Sequence, residues 1–332
     1  MIESTDDARP GLAADILAFL KQGNSDHISS KVLAESFSIT RQSVYEAIAY
    51  LRGCGYKIDA NRREGYKLIA TPDLLLPMEI AAGLKCRTFA RKIYSYQSIG
   101  STNTVAQELA KAGLPEGTLV VADKQTKGRG RLGRTWHSPS GVGLYFTLIL
   151  RPNLSPDKIA GFSLVAGLAI VRAINDVSGI EARTKWPNDV LYKSKKLAGV
   201  LVELAAELDK INFMVVGCGI NVNHRKKDFP LSLQRKSTSL RLINKESISR
   251  VALLQNVLTQ FESLYDNFCK HGFKYLRNEL LEYSALINKR VSLSVGRTRI
   301  TGKVMGFDDV GRLLIKNKKG LMSYSAGEVT LR

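Results

Sequence analysis

The chain has 332 residues, of which 44% are hydrophobic and 24% charged, a composition typical of a globular protein of two or three domains. No apolar run approaches the roughly 20 residues that cross a bilayer. The acidic N-terminus also lacks the basic and then apolar order of a signal peptide. We therefore expect a cytoplasmic protein without membrane contact.

The formal net charge of +19 is unevenly distributed along the chain. Residues 1–77 contain nine Lys or Arg and ten Asp or Glu, which leaves 40 basic against 20 acidic residues in the remainder. Such an excess suits phosphate groups or an acidic protein partner, although most of these side chains are expected simply to keep the surface soluble. The four cysteines form no CxxC pair, so we expect no zinc site, no disulfide framework and no metal cage built by protein side chains.

The first 71 residues are predicted to form a winged helix-turn-helix domain. Apolar residues recur at helical spacing over 12–20 and 32–37, and Thr40 is placed to cap a third helix that ends near Gly53. Two strand-like segments, 56–60 and 65–69, follow as a hairpin. Two close helices followed by a hairpin wing are typical of DNA-binding domains.

Residues 72–84 are predicted to be a linker to a second domain over 85–284. In that domain strands and helices alternate, which indicates an α/β fold around a mixed or largely antiparallel sheet. The predicted elements are strands at 91–98, 118–123, 143–150, 181–186, 190–192, 197–205 and 212–217, and helices at 103–112, 158–177 and within 246–283. Residues 285–332 have short strands and frequent turns, and we predict a small SH3-like β-barrel there. The expected fold class is multidomain α+β.

A loop rich in glycine and arginine, GRGRLGRTW, occupies residues 128–136. Its glycines satisfy GxGxxG, but Pro139, Gly141 and Gly143 follow at once and exclude the helix that a dinucleotide-binding fingerprint requires. Glycines let a backbone approach a ligand closely, and guanidinium groups bind phosphate or carboxylate in bidentate fashion. The loop therefore suits a mixed anhydride of an acid and a nucleotide, with Trp136 stacking on adenine. A flexible basic surface loop is the alternative.

Four sequence blocks together resemble the bifunctional biotin protein ligases that also repress the biotin operon. The blocks are GSTNTVA (100–106), KQTKGRGRLGRTW (124–136), KWPNDVLYKSKKLAGVLVE (185–203) and VVGCGINVN (215–223). The helix-turn-helix and the C-terminal β domain stand in the same order as in that family, so the resemblance spans nearly the whole chain.

The resemblance implies a two-step reaction. The biotin carboxylate attacks the α-phosphate of ATP to give biotinyl-5′-AMP and pyrophosphate, and a lysine of a biotin carboxyl carrier protein then accepts the biotin. Mg²⁺ is implied as the ion that offsets the triphosphate charge. In the regulatory half, biotinyl-5′-AMP acts as corepressor: its binding promotes homodimerisation, and the dimer binds operator DNA.

The resemblance also assigns roles to individual residues. Arg131, Lys185 and Lys196 are the implied catalytic cations, and Lys196 reaches the carboxylate or acyl-phosphate oxygens. Contacts with biotin or the adenylate are implied for Ser101, Thr102, Asn103, Gln125, Arg129, Gly130, Arg131, Trp136, Asn188, Asp189, Lys196, Gly217, Gly219 and Asn221. Asp189 would orient the incoming amine or assist its deprotonation, and Arg332 could reach the ATP phosphates. Without the motif, Lys185 and Lys196 would be interpreted as exposed charges on a strand edge.

The implied DNA contacts come from the recognition helix and the wing: Thr40, Arg41, Gln42, Ser43, Tyr45, Arg62 and Arg63. Glu46 lies on the same helix where a cation would favour DNA, and the domain is nearly neutral. Because phosphate neutralisation usually dominates affinity, DNA binding is expected to be weak per monomer and to depend on dimerisation. The polar, basic segment 223–237 is expected to form a mobile lid over the adenylate.

Three alternatives remain at this point. A lipoate ligase shares the chemistry and the broad fold, although the arginine-rich loop and the fused helix-turn-helix favour biotin. A ligand-sensing transcription factor without catalysis would need a broken active site, yet Arg131, Lys185 and Lys196 are all present. The third is a ligase whose N-terminal domain no longer represses transcription.

Overall fold

The computed structural model describes residues 8–23, 26–61, 63–207 and 210–331. Two residues to which the sequence analysis gives a role, Arg62 in the wing and Arg332 at the end of the chain, lie outside these ranges. The described residues form a helical N-terminal unit with a hairpin, a central unit of sheet and helices, and a C-terminal unit of strands.

The N-terminal unit has the predicted order of elements. Its elements are α1 (Ala8–Gln22), α2 (Ser30–Ser36), α3 (Arg41–Gly53), β1 (Lys57–Asn61) and β2 (Gly65–Ala70). The Thr40 hydroxyl oxygen accepts a hydrogen bond from the Ser43 N–H at 3.1 Å, which confirms Thr40 as the N-cap of α3. Strands β1 and β2 pair antiparallel as a wing. Val32 departs from the prediction because it is 44% exposed, and its neighbours Leu33 and Ala34 face the core instead.

The segment 72–84, predicted to be a linker, contains a short helix, α4 (Pro77–Ala81). Met78 packs into the core of the N-terminal unit, whereas Ile80 belongs to the core of the central unit. The buried Glu79 carboxylate pairs with the Lys21 ammonium of α1 at 2.6 Å. This segment is therefore an ordered joint between the two units.

The central unit is built on a seven-stranded sheet with the order β3-β4-β5-β9-β8-β7-β6. The strands are β3 (Ile93–Tyr96), β4 (Leu119–Ala122), β5 (Gly143–Leu150), β6 (Arg183–Lys185), β7 (Asp189–Tyr192), β8 (Lys195–Ala206) and β9 (Ile211–Asn221). The helices are α5 (Thr102–Lys111), α6 (Phe162–Ser178), α7 (Leu231–Gln234), α8 (Leu240–Asn244), α9 (Arg250–His271) and α10 (Phe273–Glu282). Strands β3 and β4 pair in parallel and the other described pairs are antiparallel, which confirms the mixed sheet.

Helix α6 ends an apolar segment that packs into the core of the central unit. Pro156–Ser178, which ends in α6, is long and apolar enough to cross a membrane by length and composition. However, 72% of its apolar window is buried inside the protein. Helix α6 packs on the sheet and on α9 and is apolar on nearly all sides, as expected of the core helix of a large domain.

The C-terminal unit is β-rich, as predicted. Its strands are β10 (Arg290–Val295), β11 (Thr298–Phe307), β12 (Leu313–Asn317), β13 (Gly320–Tyr324) and β14 (Glu328–Leu331). They form an antiparallel sheet with the order β13-β12-β11-β10-β14. Its apolar face is continuous with the core of the central unit, which places β14 beside the cavity described next.

Candidate active site

A cavity of about 570 Å³ lies where the central sheet, two loops and β14 meet. This volume is in the range of about 300–1,000 Å³ that small-molecule sites occupy. Its wall contains every described residue for which the sequence implied a ligand or catalytic role: Ser101, Thr102, Asn103, Gln125, Arg129, Gly130, Arg131, Trp136, Lys185, Asn188, Asp189, Lys196, Gly217, Gly219 and Asn221. The fold thus brings together four blocks that are far apart in the sequence.

The floor of the cavity is a set of buried hydroxyl and amide groups at the start of α5. Thr102 is 3% exposed, and its N–H donates to the Gln125 side-chain oxygen at 2.9 Å. The Gln125 amide nitrogen in turn donates to the Ser138 hydroxyl at 3.0 Å. From β5, the Thr147 hydroxyl oxygen lies 2.8 Å from that of Thr102. These bonds hold Thr102 rigidly at the bottom of the cavity.

Asn103 extends this network towards β8. Its Nδ2 donates to Glu203 Oε2 at 2.7 Å, and Arg129 Nη2 contacts the same oxygen at 2.9 Å. The Asn103 Oδ1 lies 2.7 Å from the Thr147 hydroxyl oxygen. A Cβ on Gly217 would lie 1.9 Å from that Oδ1, so the glycine makes room for the asparagine. Sequence reasoning missed Glu203 and Thr147, although each is a polar residue within an apolar stretch of its strand.

The glycine-rich loop folds back on itself above the floor. The Gly130 N–H donates to the Arg134 carbonyl at 2.7 Å, and the exposed Leu132 at the tip has φ of 56°. The Trp136 indole lies over Gly219 so closely that a Cβ there would be 2.5 Å from the ring. The indole Nε1 is buried and lacks a hydrogen-bond partner. Both glycines of β9 therefore accommodate protein side chains, and their predicted contact with the nucleotide stays a prediction.

The opposite wall carries the predicted catalytic cations. Arg131 Nη1 donates to Asn188 Oδ1 at 3.2 Å, which links the loop to the KWPND block. Lys196 Nζ lies 2.6 Å from Asp189 Oδ1 and 5.2 Å from the centre of the Trp136 ring, a cation–π distance. Arg131 and Lys196 are thus each oriented by a named partner.

Burial and charge excess characterise this wall. Desolvation by burial lowers the pKa values of both Arg131 and Lys185, although the Asp189 carboxylate nearby opposes the shift. Arg134 forms an ion pair with Glu328 of β14. The wall has more cations than carboxylates: Arg131, Arg134, Lys185 and Lys196 against Asp189 and Glu328. Such a wall suits an anionic ligand.

The segment predicted to be a mobile lid, 223–237, contains a 3₁₀ turn and α7. It joins β8 by backbone hydrogen bonds, among them the Lys196 N–H to the Lys236 carbonyl at 2.8 Å. The His137 Nε2 of the glycine-rich loop lies 2.8 Å from the Asp228 carbonyl oxygen. The segment therefore covers the cavity beside the glycine-rich loop, and its mobility stays a prediction.

The described residues that are predicted to contact DNA lie on α3, its cap and the wing of the N-terminal unit. Those on α3 and its cap are Thr40, Arg41, Gln42 and Tyr45, which are exposed, and Ser43, which is partly buried. Arg63 is exposed in the wing. Glu46 lies on the same face, where its carboxylate accepts a hydrogen bond from Gln42 Nε2 at 3.1 Å. These described residues thus combine two arginines with one carboxylate.

Carboxylates in the cavity do not form a metal cage. Among the described residues, no group of three or more His, Cys, Asp or Glu side chains is placed to hold a metal ion. Asp189 and Glu328 each pair with a cation already. This donor set fits a hydrated Mg²⁺ that is held by the phosphates of a bound nucleotide, with few direct protein ligands.

Comparisons with known proteins agree with this site and with the N-terminal unit. Residues 95–221 match the model of the biotin/lipoate A/B protein ligase family, and residues 13–67 match that of an HTH domain. A bifunctional ligase/repressor BirA of Bacillus spizizenii is 37% identical over 97% of this chain and 99% of its own length. The corresponding Escherichia coli protein is 29% identical over 93% of this chain and 94% of its own.

Among solved structures, the biotin protein ligase from Aquifex aeolicus in complex with biotin and ATP superposes with a TM-score of 0.63 at 33% identity. The match covers 72% of this chain and 98% of that chain. Since the likeness to the Bacillus protein extends over almost the full length of both chains, this chain belongs to the family of bifunctional biotin ligases and repressors.

Proposed function

We propose that the chain is an ATP-dependent biotin protein ligase that makes biotinyl-5′-AMP and transfers biotin to a lysine of a biotin carboxyl carrier protein. The main supporting observation is a single cavity whose floor and cationic wall differ in chemistry. A buried hydroxyl and amide floor around Thr102 suits a neutral polar ring, and the cationic wall around Asp189 suits phosphates and a carboxylate.

In the first step a biotin carboxylate oxygen attacks the α-phosphorus of ATP, and the bond to the bridging oxygen of pyrophosphate breaks. Both reactants are anions, so fixed positive charge must offset their repulsion in the transition state. Lys196 and Arg131 are held by Asp189 and Asn188 on the cationic wall, where we place the meeting of the carboxylate and the α-phosphate. Mg²⁺ bound by the phosphates supplies further charge neutralisation.

In the second step the amine of the carrier lysine attacks the acyl carbon, an amide bond forms and AMP leaves. The amine must lose a proton before or during attack. Asp189 faces Lys196 at 2.6 Å, and once that lysine turns to the acyl-phosphate oxygens the carboxylate is free to orient the amine and accept its proton. The buried wall limits access of water, which protects the anhydride.

A single incubation tests the ligase proposal. The protein is mixed with radiolabelled biotin, Mg-ATP and a carrier domain, and we expect biotinyl-AMP to form and covalent label to appear on the carrier. A parallel reaction with lipoate should give neither lipoyl-AMP nor label. Biotin binding without pyrophosphate release would instead favour a sensor without catalysis.

We also propose that the adenylate-bound homodimer represses the biotin biosynthesis operon. The exposed residues of α3 and the wing support operator binding, with Arg62 assigned by sequence alone. The joint at α4 supports communication between the units, because it packs into both cores. Sedimentation should detect dimers only with biotin and ATP, and fluorescence anisotropy should detect binding to biotin-operon DNA under the same conditions. Deletion of residues 1–70 should abolish DNA binding, and a ligase that never represses would bind no operator in either state.

We further propose a finer description of the architecture and the location. The proposed domains are 1–71 for DNA binding, 72–84 for the linker, 85–284 for catalysis and 285–332 for the C-terminal domain. The sequential antiparallel strands of the C-terminal unit, with an irregular register between Val304 and Gly306, support an SH3-like barrel. A carrier protein, ATP and DNA meet in the cytoplasm, which is the location we propose.

A further inference from the structure

We infer that an exposed row of cations across the C-terminal sheet, formed by Arg290, Lys303 and Lys316, docks an acidic surface of the carrier domain that brings the target lysine. These three residues are called the basic row below. The inference rests on the proposed ligase function and deepens it, because it places the macromolecular substrate on the protein and specifies the sign of its charge. It follows from the strand register, the uncompensated charge of the row and its position relative to the cavity.

The strand register places the three cations side by side. Arg290 of β10 lies directly opposite Lys303 of β11, and Lys303 lies directly opposite Lys316 of β12. Directly opposite residues share one face of a sheet, with about 5 Å between their Cβ atoms. All three side chains are exposed. Because like charges in this arrangement destabilise a sheet, the stability of the strands does not explain the basic row.

The carboxylates of the C-terminal unit are engaged away from the basic row. Residues 285–332 contain ten Lys or Arg against three Asp or Glu. Glu328 pairs with Arg134 of the glycine-rich loop. Asp309 pairs with Arg277 of α10. Asp308 accepts hydrogen bonds from backbone N–H groups of its own turn. In the part of the chain that the structure describes, no carboxylate forms an ion pair with the basic row, so its charge faces solvent.

The basic row and the mouth of the cavity lie on the same face of the sheet. Thr330 of β14 lines the cavity and lies directly opposite Ser292 of β10. Arg290 stands two residues before Ser292, and alternate residues of a strand point to the same side. The side of β14 that lines the cavity therefore continues into the basic row. Arg299 adds a fourth cation to this face, because its Nε donates to the Ser292 hydroxyl at 2.6 Å.

The geometry of biotin transfer determines which partner this face suits. The target lysine carries its amine on a four-carbon stem, so its domain must lie against the cavity mouth while the amine attacks the acyl carbon. A domain in that position extends over the adjoining sheet face, which the basic row crosses. Negative charge on the domain would speed its encounter with the mouth and fix its orientation, whereas positive charge would repel it. The partner that fits is therefore an acidic protein domain.

The test measures carrier labelling by charge-reversed variants of the full chain. Lys303→Glu places a carboxylate between Arg290 and Lys316. Lys85→Glu replaces an exposed lysine between α4 and β3 and is the control with the same change in net charge. At low salt we expect kcat/KM for an acidic carrier domain to fall by about 3- to 10-fold in Lys303→Glu and to be unchanged in Lys85→Glu. Lys316→Glu should behave like Lys303→Glu.

Two readouts separate docking from damage to the protein. The rate of biotinyl-AMP formation should be the same in Lys303→Glu and the wild type, because Lys303 does not line the cavity. The thermal midpoint of Lys303→Glu should rise by about 1 to 3 °C, because attraction across two strands replaces repulsion. A more stable ligase that labels its carrier more slowly is the result expected of a docking residue.

Salt and the charge of the carrier extend the test. For the wild type, kcat/KM for the carrier should decline as salt increases, and the difference between the wild type and Lys303→Glu should narrow. A second carrier probe has the acidic residues near its target lysine replaced by the corresponding amides. The wild type should label this probe more slowly than the acidic carrier, and Lys303→Glu should label it about as fast as the wild type does.

Three results would overturn the inference: carrier labelling at low salt that is as fast in Lys303→Glu as in the wild type, an equal loss in Lys85→Glu, or a parallel loss of biotinyl-AMP formation. Weaker operator binding by Lys303→Glu with unchanged carrier labelling would instead assign the basic row to nucleic acid. A wild type that makes no biotinyl-AMP and labels no carrier would remove the proposed function, so the two failures are distinguishable.

Discussion

The cavity and the recognition helix are both expected to meet phosphate groups, yet they are built in opposite ways. The cavity places Arg131, Lys185 and Lys196 on a partly buried wall around the Asp189 carboxylate. Helix α3 instead carries Glu46 among the exposed residues predicted to contact DNA, in a unit whose charges nearly balance. Charge in a partly buried wall is weakly screened, whereas charge on an open surface is strongly screened. We therefore expect catalysis to rely on a few fixed cations and DNA binding to depend on dimerisation.

The largest expected effect is on the rate of adenylate formation when Lys196 of the cavity is replaced. Lys196→Ala removes the cation that lies 2.6 Å from Asp189, and we expect the rate of adenylate formation to fall by about 100- to 1,000-fold, the usual effect of losing one group that stabilises transition-state charge. Biotin should still bind, because the floor around Thr102 is intact. Pyrophosphate release in a stopped reaction measures the rate, and Lys195→Ala, its exposed neighbour on β8, is the control. A Lys196→Ala protein that labels carrier as fast as the wild type would refute the assignment.

Acidic pH is expected to lower the stability of the central unit, which contains the cavity, more than that of the N-terminal unit. His224 is fully buried in the central unit, and burial lowers its pKa from 6.5 to about 4. Between pH 6.5 and about 4, His224 is therefore protonated in the unfolded chain but neutral in the folded protein. Stability of this unit should thus fall by up to about 3 kcal/mol as the pH drops from 6.5 to 4, and it should be regained above 6.5.

Urea unfolding followed at several pH values measures this slope. His224→Phe retains the aromatic contact with Phe229, where the rings now stack at 4.9 Å, but removes the titrating group, so its slope should be flatter over the same interval. His27→Phe in the N-terminal unit serves as the control for His224→Phe. Unlike His224, His27 is partly exposed, and it lies beside Asp59 and Glu64. Equal slopes in the wild type and His224→Phe would contradict the prediction.

Features that depend on residues close together in the chain could be predicted from the sequence, whereas contacts between distant residues could not. The strands and the cap at Thr40 follow from short-range patterns, the mixed sheet follows from the alternation of strands and helices, and the ligand roles of the four blocks are implied by the family resemblance. Glu203 and Thr147 could not be assigned roles, because their partners are 44 to 100 residues away in the chain. The sequence predicts a linker without a helix where α4 lies, because the apolar residues of α4 pack into two different cores and neither core is evident from the segment alone.

A moderate effect is expected at Glu46 on the recognition helix. Glu46→Gln removes a negative charge from the DNA-facing surface, and we expect operator affinity of the adenylate-bound protein to rise by roughly three- to tenfold at low salt. The gain should shrink as salt increases, because the removed repulsion is exposed to solvent. Fluorescence anisotropy at several salt concentrations measures it. Glu35→Gln on α2, an exposed carboxylate near Lys31, is the control, and an unchanged affinity would mean that Glu46 lies away from DNA phosphates.

The smallest expected effect on activity at neutral pH is that of replacing Lys185, a cavity cation whose pKa is altered by burial. Burial lowers the pKa of this ammonium, so it loses its charge at a lower pH than an ordinary lysine as the solution becomes alkaline. The kcat/KM for ATP, which reports ionisations of the free enzyme, should therefore decline with rising pH earlier than an exposed lysine would allow. Lys185→Arg keeps its charge throughout this range and should shift the decline to higher pH while changing activity little near pH 7. Profiles of pyrophosphate release from pH 7 to about 10 measure the shift. Lys195→Arg should leave the profile unchanged, and superimposable profiles for Lys185→Arg and the wild type would mean that the charge of Lys185 is not used in adenylate formation.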